Sequence, residues 1–141
     1  MIRQITLGST GITSPQNAFG ALPIQRDDTE TAVMLLRKAF DGGMTFFDTA
    51  RAYTDSEYKI GLALSDVRTH IIIATKTPST TVEGFWKDLN PSLSLLKTDY
   101  VDILQFHNPA FVPKPGDGTG LYEAMLEAQE KGMIRFIGFT N

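Results

Sequence analysis

The sequence contains no cysteine, which excludes disulfides and thiolate metal sites from these residues and fits a reducing cytosol. No metal site is expected. No apolar run approaches the roughly 20 residues that a membrane helix needs, and the N-terminus, Met1-Ile-Arg-Gln-Ile-Thr-Leu-Gly, has no leader-type apolar segment. A cytoplasmic protein with no membrane partner is therefore the expectation. Excess charge of one sign is also missing: 13 Lys and Arg stand against 16 Asp and Glu, for a net charge of −3. Without a basic stripe there is no electrostatic reason to expect nucleic acid as a partner. No Gly-x-Gly-x-x-Gly turn follows the first candidate strand, so a Rossmann dinucleotide site has no support. What remains is ordinary globular composition, 42% hydrophobic and 21% charged over 141 residues, within the usual size of one domain.

The pattern along the chain is a strand and helix alternation behind a short hairpin. Residues 1 to about 15 place Ile2, Ile5, Leu7 and Ile12 around the turn residues Gly8-Ser9-Thr10-Gly11. A small-residue strand is expected over Asn17–Leu22. Asp27-Asp28-Thr29-Glu30 then opens a helix whose apolar face is Ala32, Val33, Leu36, Ala39 and Phe40, stopped by Gly42-Gly43. Met44–Asp48 reads as the next strand, and a helix over about Ser56–Leu64 carries Ile60, Ala63 and Leu64 inward. His70–Thr75 is a nearly continuous β-branched run, the pattern of a strand buried on both faces. A helical stretch from Thr81 to Leu96 follows, with Pro91 predicting a kink or two pieces meeting at Asn90-Pro91. Tyr100–Phe106 is a further strand, Asn108–Gly120 a long loop, and Leu121, Ala124, Met125 and Ala128 the inner face of a last helix that Gly132 stops. Ile134–Phe139 is the fifth strand. The strand starts recur every roughly 26–34 residues, the size of a βαβ unit, so the class is α/β with parallel strands.

In such folds chemistry collects at the carboxyl ends of the strands, where the loops converge. There the sequence places Asp48 with Tyr53 in the following loop, then Lys76, His107 and Thr140-Asn141. Each has an ordinary alternative. A lysine leaving a buried strand can snorkel to solvent, an aspartate can cap a loop, a tyrosine can pack with its hydroxyl satisfied, and a histidine can simply enter a loop. His70, at the amino end of its strand, reads as structural or surface. Together they are more specific. A buried lysine wants the carboxylate of Asp48, and an ammonium beside the Tyr53 phenol favours the phenolate, making the phenol a readier proton donor. His107 is a second donor able to orient an oxygen.

Four stretches resemble the aldo-keto reductases. They are Phe46-Phe47-Asp48-Thr49-Ala50-Arg51-Ala52-Tyr53-Thr54-Asp55-Ser56-Glu57, Ile73-Ala74-Thr75-Lys76-Thr77, Leu93 to His107 with its Thr98-Asp99-Tyr100-Val101-Asp102 core, and Gly132 to Asn141. They lie in order along nearly the whole chain; Thr140-Asn141 stands where Ser-Asn is commoner. The resemblance implies a (β/α)8 TIM-type barrel floored by the hairpin, and NADPH-dependent reduction of a small aldehyde or ketone to an alcohol. It implies Tyr53 as general acid, Lys76 and Asp48 as the pair that tunes it, and His107 as the group that orients substrate. It further implies Gly20, Ala21, Leu22, Asp48, Thr140 and Asn141 as cofactor-side residues. A complete barrel takes about 250 residues. Residues 1–141 are therefore expected to be the N-terminal portion of one barrel domain, the hairpin and first five strands, inactive alone and able to self-associate through open strand edges. A non-catalytic binding or regulatory subunit on the same fold, or a half-barrel assembly module, remains open as the alternative.

Overall fold

A computed structural model of the chain describes residues 2–141; Met1, placed in the hairpin by sequence, lies outside the described residues. The hairpin consists of β1 (Gln4–Thr6) and β2 (Thr13–Pro15), antiparallel with Ile5 opposite Ser14. Behind it run β3 (Phe19–Gly20), α1 (Thr29–Asp41), β4 (Phe46–Asp48), α2 (Ser56–Leu64), β5 (Ile72–Thr77), α3 (Val82–Leu96), β6 (Val101–Phe106), α4 (Leu121–Glu130) and β7 (Ile134–Phe139). The five strands form one parallel sheet in the order β3-β4-β5-β6-β7. Each helix is the crossover between neighbouring strands, as the alternation predicts.

Local chemistry explains most boundaries. The Asp28 carboxylate accepts from the Thr31 N–H at 2.8 Å and from its hydroxyl at 2.9 Å, satisfying one free donor at the start of α1. After α1, Gly43 turns the chain away with φ +94°. Two expectations need correction. The first strand of the sheet is only Phe19–Gly20, because Pro23–Arg26 coils into a 3-10 turn that takes over from Leu22. And α3 is one helix through Pro91 rather than two pieces meeting at Asn90-Pro91. Proline removes one N–H and leaves the carbonyl four residues earlier without its partner; here that carbonyl belongs to Lys87, an exposed residue of α3.

Strand alternation divides the sheet into two faces. Phe47, Ile73, Leu104 and Phe106 join Leu36, Ile60, Phe85, Leu89 and Met125 in the core between sheet and helices. The other face carries Phe46, Asp48, Ile72, Ala74, Lys76, Ile103, Gln105 and Phe136. Of these the apolar Phe46, Ile72, Ile103 and Phe136 are only half-buried. In a closed barrel this face is the filled interior.

Two close fits lock the outer layer. A Cβ on Gly61 would stand 2.0 Å from the Leu95 carbonyl oxygen, so α2 approaches α3 at a point only glycine allows. At the amino end of the strands the buried Asp102 carboxylate accepts from Arg68 Nη2 at 2.7 Å, Arg135 Nη1 at 2.7 Å and the Ile73 N–H at 2.9 Å. Arg68 also donates to the carbonyls of Ile71 and Tyr100. His70 ends a 3-10 turn here and is exposed, the surface alternative of its structural-or-surface reading. Among the described residues no helix is long and apolar enough to cross a membrane.

Candidate active site

Asp48 and Lys76 share the open face of the sheet because both sit at even steps along the ladder. Asp48 is opposite Ala74, and Lys76 lies two residues further on. The Lys76 ammonium donates to Asp48 Oδ2 at 2.6 Å and to the Thr49 carbonyl at 2.7 Å. Lys76 is only 5% exposed, so these partners offset the cost of taking an ammonium out of water. Tyr53 stands in the loop after β4 with its ring centre 5.0 Å from Lys76 Nζ. His107 follows β6, where its N–H donates to the Thr77 carbonyl at 2.9 Å and extends the ladder by one step. Its imidazole meets the Tyr53 ring edge-on, with 5.6 Å between centroids.

The four side chains expected to form a site therefore converge. Burial lowers the His107 pKa below the ordinary imidazole value, the positive charge of Lys76 lowers it further, and Asp48 opposes in part. At neutral pH His107 is a neutral ring with one N–H to give. A cavity of about 90 Å³ opens beside it, walled by Thr77, Ser79, Thr80, Phe106 and Asn108. An ammonium, a phenol and a neutral imidazole gathered at one end of the sheet form a set of donors suited to an oxygen that gains charge.

Residues 4–141 match the sequence profile of the Aldo/keto reductase family. The chain belongs to that family. An L-galactose dehydrogenase from Arabidopsis thaliana is 35% identical over 153 residues, a match covering 95% of this chain and 47% of the dehydrogenase. A methylglyoxal reductase from Salmonella typhi is 32% identical over 141 residues, covering 92% of this chain and 49% of the reductase. The crystal structure of a Klebsiella pneumoniae aldo-keto reductase in complex with NADPH superposes with a TM-score of 0.85 at 25% identity, over 100% of this chain and 50% of that one. The chain thus spans about half the length of the relatives it matches. Its parallel sheet corresponds to part of the barrel sheet in those aldo-keto reductases.

In this aldo/keto reductase chain the expected cofactor-side residues are placed unevenly. Gly20 lies opposite Asp48 in the ladder, and open space stands where its Cβ would be. Leu22 is exposed, but Ala21 is wholly buried. The Ala21 N–H donates to the Asp48 carbonyl at 2.8 Å, and its own carbonyl accepts from the Ser56 hydroxyl at 3.1 Å. Thr140 is engaged with Asn108: its hydroxyl donates to Asn108 Oδ1 at 2.9 Å and accepts from the Asn108 N–H at 2.8 Å. Asn141 is exposed beyond the end of β7.

Four buried polar residues near the site carry no role assigned from sequence. Glu57, 1% exposed, accepts from Thr75 Oγ1 at 2.7 Å and from Arg51 Nη1 at 2.5 Å. Lys59, 1% exposed, donates to the carbonyls of Ile24 and Asp27 at 2.8 and 2.7 Å, fastening the 3-10 turn after β3 to α2. Ser56 and Thr49 share a buried hydrogen bond of 2.8 Å. A signal for Glu57 exists in the sequence: it precedes Ile60 by three residues and Leu64 by seven, so helical spacing puts it on the buried face of α2.

Proposed function

We propose that residues 1–141 are the N-terminal portion of one aldo/keto reductase barrel domain, and that the domain reduces an aldehyde or ketone to an alcohol with NADPH. The carrying observation is the Lys76–Asp48 pair at 2.6 Å with the Tyr53 ring beside the ammonium and His107 against that ring. The uncovered strand ends fit a flat nicotinamide in part: Gly20 presents no Cβ, half-buried Asp48 lies opposite it in the ladder, and Leu22 and Asn141 are exposed beyond β3 and β7. Those residues, with Thr140 where its pairing to Asn108 allows, would hold the ring. When bound, the cofactor supplies the hydride for the carbonyl carbon.

The chain's own residues manage the oxygen. Tyr53 gives its hydroxyl proton to the carbonyl oxygen as that oxygen gains charge. Lys76 stabilises the negative charge left on the phenol, and Asp48 keeps the ammonium in place. His107, neutral and with an N–H to donate, aims the carbonyl at Tyr53. The test is a screen of small aldehydes and ketones against the protein containing this chain, following NADPH oxidation. Consumption that depends on the carbonyl supports the reading. Stoichiometric NADPH binding without consumption across the screen overturns it in favour of a non-catalytic binding subunit.

A further inference from the structure

The segment that carries Tyr53 is held by little backbone hydrogen bonding. The loop after β4 is tied to its neighbour at Thr49, whose N–H donates to the Ala74 carbonyl at 2.8 Å, and at Arg51, whose N–H donates to the Lys76 carbonyl at 3.0 Å. Beyond Arg51 the backbone bonds are local: the Tyr53 N–H donates to the Ala50 carbonyl at 3.0 Å, the Tyr53 carbonyl accepts from the Ser56 N–H at 2.9 Å, and Thr54 takes a left-handed φ of +41°. Two side-chain pairs span this stretch: the buried hydroxyls of Thr49 and Ser56 share a hydrogen bond of 2.8 Å, and an ion pair adds the second tie. Arg51 Nη1 donates to Glu57 Oε2 at 2.5 Å, from before Tyr53 to beyond it. The other oxygen of Glu57 accepts from Thr75 Oγ1 at 2.7 Å. Thr75 is the residue before Lys76.

A carboxylate that is 1% exposed persists only with partners that repay its lost hydration. Here one partner comes from the Tyr53 loop and the other from the strand that bears Lys76. The geometry points to Glu57 as a positioning residue that holds the Tyr53 ring beside Lys76 and against His107, with Arg51 as its grip on the loop. The geometry stands by itself; its consequence for turnover rests on the carbonyl-reduction reading. Because Glu57 touches neither Tyr53 nor His107 in the hydrogen-bond network, it acts through Arg51 and Thr75 rather than on the substrate.

The edge-on contact between Tyr53 and His107 supplies a readout other than activity, since the aromatic ring displaces the resonances of the imidazole protons beside it. Tyr53→Leu sets the reference for a missing ring. In Glu57→Gln, and in Arg51→Met at a partly exposed loop position where folding is less at stake, the His107 ring resonances are expected to move toward that reference. The resonances of His70, at the other end of β5, stay in place. In the reductase assay the same variants lose up to about 100-fold in kcat, the scale of a misplaced reacting group, with KM for the carbonyl little changed. His107 resonances in Arg51→Met that coincide with those of the unaltered chain overturn the assignment, as does a loss confined to KM. If the unaltered protein shows no turnover, the reductase reading fails while the resonance result still decides the role of Glu57.

Discussion

Lys76 reaches Asp48 across a diagonal of the sheet: its ammonium is 2.6 Å from the carboxylate, yet Asp48 is paired in the ladder with Ala74. The offset of two residues keeps both side chains on one face and carries the lysine past the end of β4. There it meets the loop that bears Tyr53. The ion pair, the phenol and the imidazole are thus consequences of parallel register at three adjacent strands.

Tyr53→Phe removes the proposed proton donor while keeping the ring. Turnover of a carbonyl substrate in the protein containing this chain is expected to fall by about 10²–10⁴-fold, the usual contribution of a general acid, with NADPH affinity nearly unchanged. Steady-state NADPH oxidation together with a cofactor fluorescence titration checks both halves. Unchanged turnover would remove Tyr53 from the mechanism.

His107 is expected to titrate below the ordinary imidazole value of about 6.5, because of burial first and the charge of Lys76 second. In Lys76→Met the second cause is gone and the titration moves up. A lowered folded-state value means that the unfolded chain takes up the proton first. The stability linked to His107 is therefore full above pH about 6.5 and is lost as pH falls from there through the folded value. Following the imidazole resonances against pH measures this; a folded-state midpoint above the ordinary value would contradict it.

Asp102→Ala leaves Arg68, 8% exposed, without its buried carboxylate partner, and strips Arg135 and the Ile73 N–H of theirs as well. Breaking a buried pair from one side costs about 3–5 kcal/mol. Urea unfolding should show that loss as a lower midpoint at constant slope. A change under about 0.5 kcal/mol, typical of surface positions, would mean the cluster does not hold the sheet ends together.

Gly61→Ala tests the approach of α2 to α3. The added methyl would sit 2.0 Å from the Leu95 carbonyl oxygen, a backbone atom with no rotamer by which to escape. The helices must separate, at a cost of about 1–3 kcal/mol or more. A lowered thermal midpoint is expected, against the gain that alanine normally brings to a helix interior.

The isolated 141-residue chain is expected to self-associate. β7 is an edge strand of six residues, Phe139 is 52% exposed, and an apolar hollow of about 220 Å³ runs along it past Val112, Tyr122 and Ile137. An uncovered edge of this kind pairs readily with another chain. Sedimentation velocity at several concentrations should show species larger than one chain; a monodisperse monomer would contradict the expectation.

The amino-acid sequence determined what short-range physics can specify. The capping carboxylate of Asp28, the double glycine after α1, the β-branched run ending at Lys76 and the helical face of Leu121, Ala124, Met125 and Ala128 each act within a few residues, and the structure follows them. The rhythm of these elements gave the parallel α/β class and placed Asp48, Tyr53, Lys76 and His107 at one end of it. Pro91 does not divide α3 into two pieces, because the local rule omits solvent: an orphaned carbonyl on an exposed face costs little, so the helix continues. Tertiary structure alone decided which side chains meet. Register set the Lys76–Asp48 diagonal, the edge of the Tyr53 ring against His107, and the pairing of Thr140 with Asn108. It also joined Arg51, Thr75 and Glu57, and closed Asp102 between two arginines. Apart from the Arg51–Glu57 pair, those partners come from segments far apart in the chain, and a buried charge is tolerated only where the fold delivers its counter-charge.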